Sequence, residues 1–359
     1  MAEAITLTVG GREVRLGHPD KVLFPERGWT KLDVAEHYVA CAGGALRGVI
    51  GRPTVLKRWP KGVSAKPFFQ KRAPKPKDGP LHEYATVRFP SGRFADLLVP
   101  RHAADIIWMA HLDCLDLNPW PVRADDVDRP DELRLDLDPE PDVPFSAVQT
   151  VALRCREVLE EQGLVGWPKT SGSRGIHVSV RIAPDWPFTE VRRAALALAR
   201  EVERREPKLA TSSWWKEERL GVFIDYNQNA RDRTVASAYS VRPTGFVSAP
   251  LTWDEVPDAE VADFPLDTFA RDRYARVGDL TAGIDDAVGD LGSLLELSKR
   301  DAEEGLGDAP WPPHFPKQPD EPPRVQPSRR RVLDAGGSGV GGDDAGSSAA
   351  GAGLGVVGS

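Results

Sequence analysis

Two aspartates stand two residues apart in segment 133–138, which reads Leu-Arg-Leu-Asp-Leu-Asp. The strict alternation predicts a β-strand with its leucines on one face and Asp136 and Asp138 on the other. Carboxylates at this spacing lie roughly 6.5–7 Å apart along a strand, so both can reach ions between them. Two unpaired aspartates would be costly in a dry structural role. The pair therefore predicts a divalent metal site of the type used in two-ion phosphoryl transfer.

A third carboxylate, Asp225, ends the alternating segment 222–225. Two metal ions held about 3.5–4 Å apart need bridging oxygens, and a third aspartate would supply them. A single aspartate at the end of a strand can also be a cap or an ion-pair partner. The residues alone leave that alternative open.

Segment 171–177 reads Ser-Gly-Ser-Arg-Gly-Ile-His and directly precedes an alternating apolar run. Its glycines and the serines Ser171 and Ser173 allow backbone N–H groups to approach an anion, and Arg174 adds a guanidinium suited to phosphate. His177 is expected on the same face as the aspartates, where it could donate to a phosphate oxygen. A Gly-Ser segment can also be only a turn, and a single histidine can be structural.

These residues fall on a regular succession of strands and helices. Thr30 and Asp33 form a capping-box pattern that opens a helix through Tyr38. Further segments with a strand or helix pattern are 133–138, 145–162, 176–182, 188–206 and 222–225. Their order predicts an α+β fold with a central mixed or antiparallel sheet and flanking helices.

Composition indicates a globular protein with further segments behind its folded part. The 359 residues are 40% hydrophobic and contain three well-separated cysteines, and no apolar run approaches the roughly 20 residues of a membrane span. We see no secretory signal and expect a cytoplasmic protein with reduced thiols and no membrane contact. We predict a catalytic domain at 1–305, a Pro-rich extended segment at 306–334 and a disordered Gly/Ser/Ala tail at 335–359.

The net charge of −7 is unevenly distributed. Segment 52–77 has nine basic and no acidic side chains, whereas segment 116–142 has ten acidic and three basic ones. The first could bind phosphates and the second metal cations. Apart from Asp136 and Asp138, we interpret the acidic segment as a solvated surface.

Taken together, the ordered motifs resemble the archaeo-eukaryotic primase superfamily, and most closely the polymerase domain of bacterial ligase D. The resemblance covers most of residues 18–300. Besides the aspartates and the Ser-Gly-Ser-Arg-Gly segment, it includes four shorter motifs: 20–25 (Asp-Lys-Val-Leu-Phe-Pro), 57–60 (Lys-Arg-Trp-Pro), 68–69 (Phe-Phe) and 239–242 (Tyr-Ser-Val-Arg). It implies a primase-polymerase catalytic core with an RRM-like sheet.

The resemblance also implies roles for individual residues. Two divalent ions, with Mn2+ preferred and Mg2+ possible, would be held by Asp136, Asp138 and Asp225. The triphosphate of an NTP or dNTP would be held by Ser171, Ser173, Arg174 and His177, with Gln228 and Arg242 nearby. The DNA-binding set would be Lys21, Lys31, Lys57, Phe68 and Phe69. In that set Lys21 and Lys31 would grip a downstream 5′-phosphate, whereas Phe68 and Phe69 would stack on template bases. Because adjacent strand residues point to opposite faces, we expect one of the two phenylalanines in the core.

Two departures from the family pattern limit these assignments. Asp116 stands where ligase D polymerase domains can carry a histidine near the nucleotide, so that role is not assigned. Segments resembling the ligase and nuclease domains are not found, so a separate ligase, and an end-binding protein as a further partner, are expected to act on the same DNA.

The predicted function is template-directed nucleotide addition at gapped or broken DNA with a 5′-phosphate, favouring ribonucleotides, by a nucleoid-associated bacterial monomer. End joining, excision-type gap repair and priming remain open as its setting. Two other classes also remain open, namely a two-metal nuclease and a non-catalytic DNA-end-binding module that recruits a ligase. A nuclease, however, has no use for a triphosphate-binding loop.

Overall fold

A computed structural model of the chain describes residues 3–74, 82–312, 315–318 and 321–324. Its strands are β1 (Ile5–Val9), β2 (Arg12–Leu16), β3 (Val22–Phe24), β4 (Trp29–Thr30), β5 (Thr54–Arg58), β6 (Phe68–Gln70), β7 (Glu83–Arg88), β8 (Phe94–Val99), β9 (Asn118–Pro119), β10 (Val122–Arg123), β11 (Asp126–Pro130), β12 (Glu132–Pro139), β13 (Gly166–Thr170), β14 (Ile176–Arg181), β15 (Ala210–Thr211) and β16 (Val222–Asp225). Its helices are α1 (Lys31–Ala40), α2 (Ala42–Arg47), α3 (Ala103–His111), α4 (Phe145–Glu161), α5 (Phe188–Arg205), α6 (Leu266–Phe269), α7 (Ala275–Val277) and α8 (Gly292–Glu303).

The sheet that carries the aspartates has five strands in the order β13-β14-β12-β16-β15. Its pairs are antiparallel except for the parallel pair of β15 and β16. Leu133, Leu135 and Leu137 of the central strand β12 are fully buried on the face against which α4 and α5 pack. The period-2 pattern therefore directs Asp136 and Asp138 to the opposite face, which is free of these two helices.

A second sheet is formed by the N-terminal half of the chain, with strand order β6-β5-β8-β7 and with β9 also paired to β5. Strand β6 is its edge strand and pairs only with β5 among the described residues. The capping box predicted at Thr30 and Asp33 is present and opens α1. The predicted α+β class, with antiparallel sheets and flanking helices, is confirmed. Among the described helices, none combines the length and apolar character that crossing a bilayer requires.

The predicted boundary at residue 305 lies inside a compact unit that extends to Pro322. The described part of the Pro-rich segment is held by Arg192, a completely buried residue of α5. Its guanidinium donates to Asp308 and to the carbonyls of Ala309 and Pro310, and lies 4.2 Å from the ring centre of Trp311. The predicted tail at 335–359 lies outside the described residues.

Replacing Arg192 with alanine is expected to lower the free energy of unfolding by about 3–5 kcal/mol, because the change leaves Asp308 and two carbonyls without their buried donor. Urea unfolding of the variant and the wild type measures the loss. The matched control is Arg193→Ala, since the neighbouring Arg193 is half exposed and forms a surface ion pair with Glu190, three residues away. A loss as small as that of the control would contradict the anchoring role.

Candidate active site

Asp136 and Asp225 face each other across two neighbouring strands. They are direct register partners in the antiparallel pair of β12 and β16, where opposed side chains are neighbours on one face. The amide Nε2 of Gln228 donates to Asp225 Oδ2 at 2.8 Å and to Asp136 Oδ2 at 3.4 Å. Gln228 lies in a 3-10 turn that begins directly after β16, and Asp225 caps this turn by accepting the N–H of Asn227 at 2.9 Å.

Asp138 lies on the same strand face, two residues further along β12. Burial and the charge of Asp136 raise the pKa of Asp138, whereas Arg174 and Arg219 lower it. Burial and Asp136 also raise the pKa of Asp225 to about 6. Both shifts result in part from negative charge that is incompletely balanced.

The aspartates are the donor set that hard divalent cations prefer, and a cation would relieve the repulsion that raises these pKa values. In the part of the chain that the structure describes, no three acidic, histidine or cysteine side chains converge closely enough to hold one ion. The physical reason is that Gln228 bridges Asp136 and Asp225, while Asp138 stands one pleat repeat away. The three predicted aspartates thus lie on one sheet face, with Asp136 and Asp225 close together and Asp138 further along β12. Their role as metal ligands remains a prediction.

His177 lies opposite Asp136 on the other side of β12, as its register partner in β14. Its Nε2 is 3.3 Å from Asp136 Oδ1, and its Nδ1 is 2.6 Å from the Nζ of Lys169 in the edge strand β13. Burial and the charge of Lys169 lower the pKa of His177 to about 4. Burial alone would raise the pKa of Asp136, but His177 and Lys169 hold it below its ordinary value.

The Ser-Gly-Ser-Arg-Gly segment forms a tight turn between β13 and β14. Ser171 Oγ accepts the backbone N–H groups of Ser173 and Gly175, at 3.1 and 3.0 Å. Gly172 has φ +68°, and a Cβ there would meet the Arg242 side chain at 2.4 Å. Ser173 and Arg174 are exposed, whereas Ser171 is buried and occupied by the turn itself. The glycine therefore allows the predicted phosphate-binding turn and Arg242 to lie against each other.

Asp116 is completely buried and links two cations that were assigned to different ligands. Its Oδ2 is 2.9 Å from Lys57 Nζ and 3.6 Å from Arg242 Nη1. Lys57, predicted to contact DNA, therefore lies beside Arg242, predicted to bind the triphosphate. Asp116 is therefore the shared anion of this cationic pair.

Lys21 and Lys31 are brought together on the two oxygens of Asp113, at 2.8 and 2.7 Å. They line an open cleft with further cationic or titratable side chains, namely Arg15, His18, Arg58 and His111. Lys31 is almost fully buried and also donates to the His111 carbonyl, whereas the Lys21 side chain is 28% exposed. Of the two lysines, Lys21 has the more exposed side chain.

The expectation that one of Phe68 and Phe69 is in the core is wrong. Their exposed fractions are 54% and 55%. The physical reason is the position of β6 at the sheet edge, where neither face is covered and opposite directions both lead to solvent. The Phe69 ring centre lies 5.8 Å from Lys57 Nζ, so this aromatic pair adjoins the cationic pair at Asp116.

Comparison with known proteins places this geometry in a family. Residues 30–281 match the model of the LigD primase-polymerase domain. The chain belongs to this family. It is 33% identical over 279 residues to the multifunctional non-homologous end joining protein LigD of Mycolicibacterium smegmatis, which covers 76% of this chain and 36% of that relative. It is 30% identical over 253 residues to the LigD protein of Pseudomonas aeruginosa, covering 70% of this chain and 30% of that relative.

The polymerase domain of Mycobacterium tuberculosis ligase D, solved in complex with DNA, has a similar structure, with a TM-score of 0.69 and 32% identity. The match covers 76% of this chain and 98% of that domain. The chain spans between 30% and 42% of the length of the LigD relatives that it matches. The domain that the chain matches is a primase-polymerase, which is a DNA-directed nucleotidyltransferase domain.

Three residues with clear positions in this site were missed from the sequence. The acidic segment 116–142, which contains Asp116, is interpreted from the sequence as a solvated surface, and Asp113 has no predicted role, yet each of the two is buried and ion-paired with cations assigned to phosphate or DNA. Lys169 was not considered because the segment Gly166–Thr170 was not predicted as a strand. The alternation of Trp167 and Lys169 was an available signal, since it places Lys169 on one strand face.

Proposed function

We propose that this chain fills short gaps or extends ends in broken DNA during non-homologous end joining, by template-directed addition of nucleotides. The observation that carries the proposal is the opposition of Asp136 and Asp225 on one strand face, beside His177 and the Ser-Gly-Ser-Arg-Gly turn. The relatives named above are end-joining proteins, and the similar solved domain is bound to DNA, which supports a DNA substrate.

Asp136, Asp138 and Asp225 would hold two divalent cations, with Mn2+ more effective than Mg2+. When bound, such cations activate the primer hydroxyl and balance charge on the phosphates. His177, Ser173, Arg174 and Arg242 bind and orient the triphosphate, so that the primer 3′-hydroxyl attacks the α-phosphate in line and pyrophosphate leaves. Carboxylate oxygens on one sheet face, next to His177 and the turn that carries the exposed Arg174, support this division of roles.

The DNA would lie along the cationic and aromatic side of the site. Lys21 and Lys31 would take the 5′-phosphate across the gap, while Phe68 and Phe69 stack on the template. Ribonucleotides are the proposed preferred substrates. The nick left after filling requires a ligase activity, and an end-binding protein would bring the two ends together.

Primer extension on a one- or two-nucleotide gap with Mn2+, with and without a downstream 5′-phosphate, tests the proposed function. Addition directed by the template base, and faster with the 5′-phosphate, is the expected result. Ribonucleotides and deoxyribonucleotides are compared in parallel. Shortened DNA in reactions without nucleotides would instead identify a nuclease, and tight end binding without addition would identify a recruiting module.

Lys21→Ala is expected to remove most of the preference for a 5′-phosphorylated gap, with about tenfold weaker binding of that substrate only, since a charged hydrogen bond contributes about 1.5–3 kcal/mol. The salt dependence of binding should also fall by about one counterion. Titration of 5′-phosphate and 5′-hydroxyl gaps at two salt concentrations measures both effects.

Lys21 is the appropriate residue for this test because Lys31 is buried against Asp113, so its removal would also affect folding. The matched control is Lys208→Ala, which removes an exposed lysine after α5. Equal weakening of both gapped substrates would mean that Lys21 only adds to a diffuse positive field. The phosphate preference would then survive in the Lys21 variant.

A further inference from the structure

Lys169 is a buried cation on the same sheet face as His177 and Asp136, and nothing in the proposed reaction yet uses it. Its side chain leaves the edge strand β13 and is 5% exposed. Its Nζ lies 2.8 Å from the Ala236 carbonyl, 2.8 Å from Ser248 Oγ and 2.6 Å from His177 Nδ1. The lysine therefore ends in a closed set of three partners, one of which is the imidazole that faces Asp136.

The hydrogen atoms in this set can be assigned from the partners. The Ala236 carbonyl can only accept, and Ser248 Oγ uses its own hydrogen to donate to the Thr170 carbonyl at 2.7 Å. Two N–H bonds of Lys169 thus go to these oxygens. The third N–H bond of Lys169 is left for His177 Nδ1, which accepts this hydrogen bond. Nε2 of the same ring must carry the imidazole hydrogen, and it lies 3.3 Å from Asp136 Oδ1.

The opposite assignment fails at Asp136. If His177 donated from Nδ1 to a neutral lysine, the bare Nε2 lone pair would face a carboxylate oxygen. Two acceptors would then oppose each other in a buried position, which costs free energy. Although burial and the charge of Arg242 lower the pKa of Lys169, an ammonium there and a hydrogen on Nε2 give Nζ, Nδ1 and Nε2 each a complementary partner.

We propose that Lys169 is a positioning residue that holds the His177 ring through Nδ1, so that Nε2–H is directed at Asp136 and the adjoining triphosphate. This inference rests on the proposed function, because it assigns a second layer of support to the same site. The ring then donates into the site from Nε2. His177 consequently acts as a donor that orients the Asp136 carboxylate.

The tautomer is measured directly by long-range 1H–15N correlation spectra of imidazole rings in the whole protein. The His177 signals are assigned by their loss in His177→Gln. In the wild type we expect a protonated Nε2 and an unprotonated Nδ1. In Lys169→Met, which has similar length and no donor, we expect that tautomer to lose its dominance. A wild-type ring protonated at Nδ1 would overturn the proposal even if the variant failed to fold.

Ser248→Ala is the matched control for the spectra. It removes one acceptor of Lys169 and leaves the contact between Lys169 and His177 in place. The Nε2–H tautomer should persist in this variant. Loss of the tautomer there, or its persistence in folded Lys169→Met, would mean that the contact of Lys169 with His177 does not set it.

Steady-state primer extension supplies the second readout. Lys169→Met is expected to lower kcat/KM for nucleotide by about 10- to 100-fold, as for other partners that orient a ligand of a metal site. In the His177→Gln background the same change should have almost no further effect, because Lys169 acts through His177. Independent losses that multiply would indicate a merely structural role and refute the proposal.

The two levels of inference can fail separately. Absence of nucleotide addition by the wild type would contradict the proposed function, and the wild-type spectrum would still report the tautomer. Robust addition together with the Nδ1–H tautomer would leave the function intact and eliminate the positioning role.

Discussion

Asp138→Ala is expected to reduce nucleotide addition by at least about 10³-fold, because stabilisation of transition-state charge by metal ions amounts to several kcal/mol. Single-turnover primer extension with Mn2+ measures the loss. Binding of gapped DNA should change little, since the DNA is held by the cationic and aromatic side of the site. Asp136→Ala should be as severe, but it also removes the acceptor of His177.

The surroundings of Asp138 make it the sharper of the two substitutions. Asp138 is solvent-accessible, and its raised pKa indicates that the folded protein gains little from its charge. Its removal is therefore expected to leave folding intact. Asp142→Ala is the matched control, because it deletes another exposed aspartate shortly after β12. Addition at the wild-type rate by Asp138→Ala would refute the metal assignment.

The catalytic sheet was predictable where local periodicity matches burial. The alternation at 133–138 and 176–182 has period 2, and the structure buries the apolar set in each case, so β12 and β14 were found together with their functional faces. The helices at 145–162 and 188–206 were found within about a residue, because apolar periodicity and a Gly or Pro stop coincide there.

Strand β13 could not be predicted from the sequence because it contains a proline. Pro168 argues against a strand, since it has no N–H for the sheet. In the structure β13 is an edge strand of its sheet, which is the position where proline is tolerated. Lys169 was lost with the strand, although it contacts the imidazole that had been singled out.

The sequence also did not show the ion pairs between residues that are far apart in the chain. Asp116 is 59 positions from Lys57 in the chain, and Asp113 is 92 positions from Lys21, so no local pattern connects them. Acidic residues in a charge-rich segment are usually solvated, and that general rule concealed Asp116. Asp113 lies outside the acidic segment, and no sequence pattern singled it out. The structure shows them as buried anions that fix the positions of cationic side chains.

At Phe68 and Phe69 the alternation of side chains along a strand predicted burial that the structure does not show. Alternation along β6 was applied correctly, but it assigns opposite faces and does not state that one face is covered. Large aromatic rings exposed side by side are unfavourable in water unless they have a ligand. Their position beside Lys57, at the edge of the cationic side of the site, is typical of a stacking surface for unpaired bases.

Replacing both Phe68 and Phe69 with alanine is expected to weaken binding of a gapped template by at least about tenfold, since base–aromatic stacking contributes about 1–3 kcal/mol per base. Because both rings are exposed, the free energy of unfolding should change by less than about 0.5 kcal/mol. The salt dependence of binding should be preserved, because the substitution removes no positive charge.

Phe94→Ala is the matched control, since Phe94 of β8 belongs to the same sheet and is 59% exposed. Titrations of gapped DNA at two salt concentrations, with urea unfolding of each variant, distinguish stacking from nonspecific loss of apolar surface. If stacking on the template is the function of Phe68 and Phe69, only their variant should bind weakly while its salt slope stays parallel to that of the wild type. Equal binding by all three proteins would exclude stacking as their role. A steepened or flattened salt slope would show instead that the substitution disturbs Lys57, whose ammonium lies over the Phe69 ring.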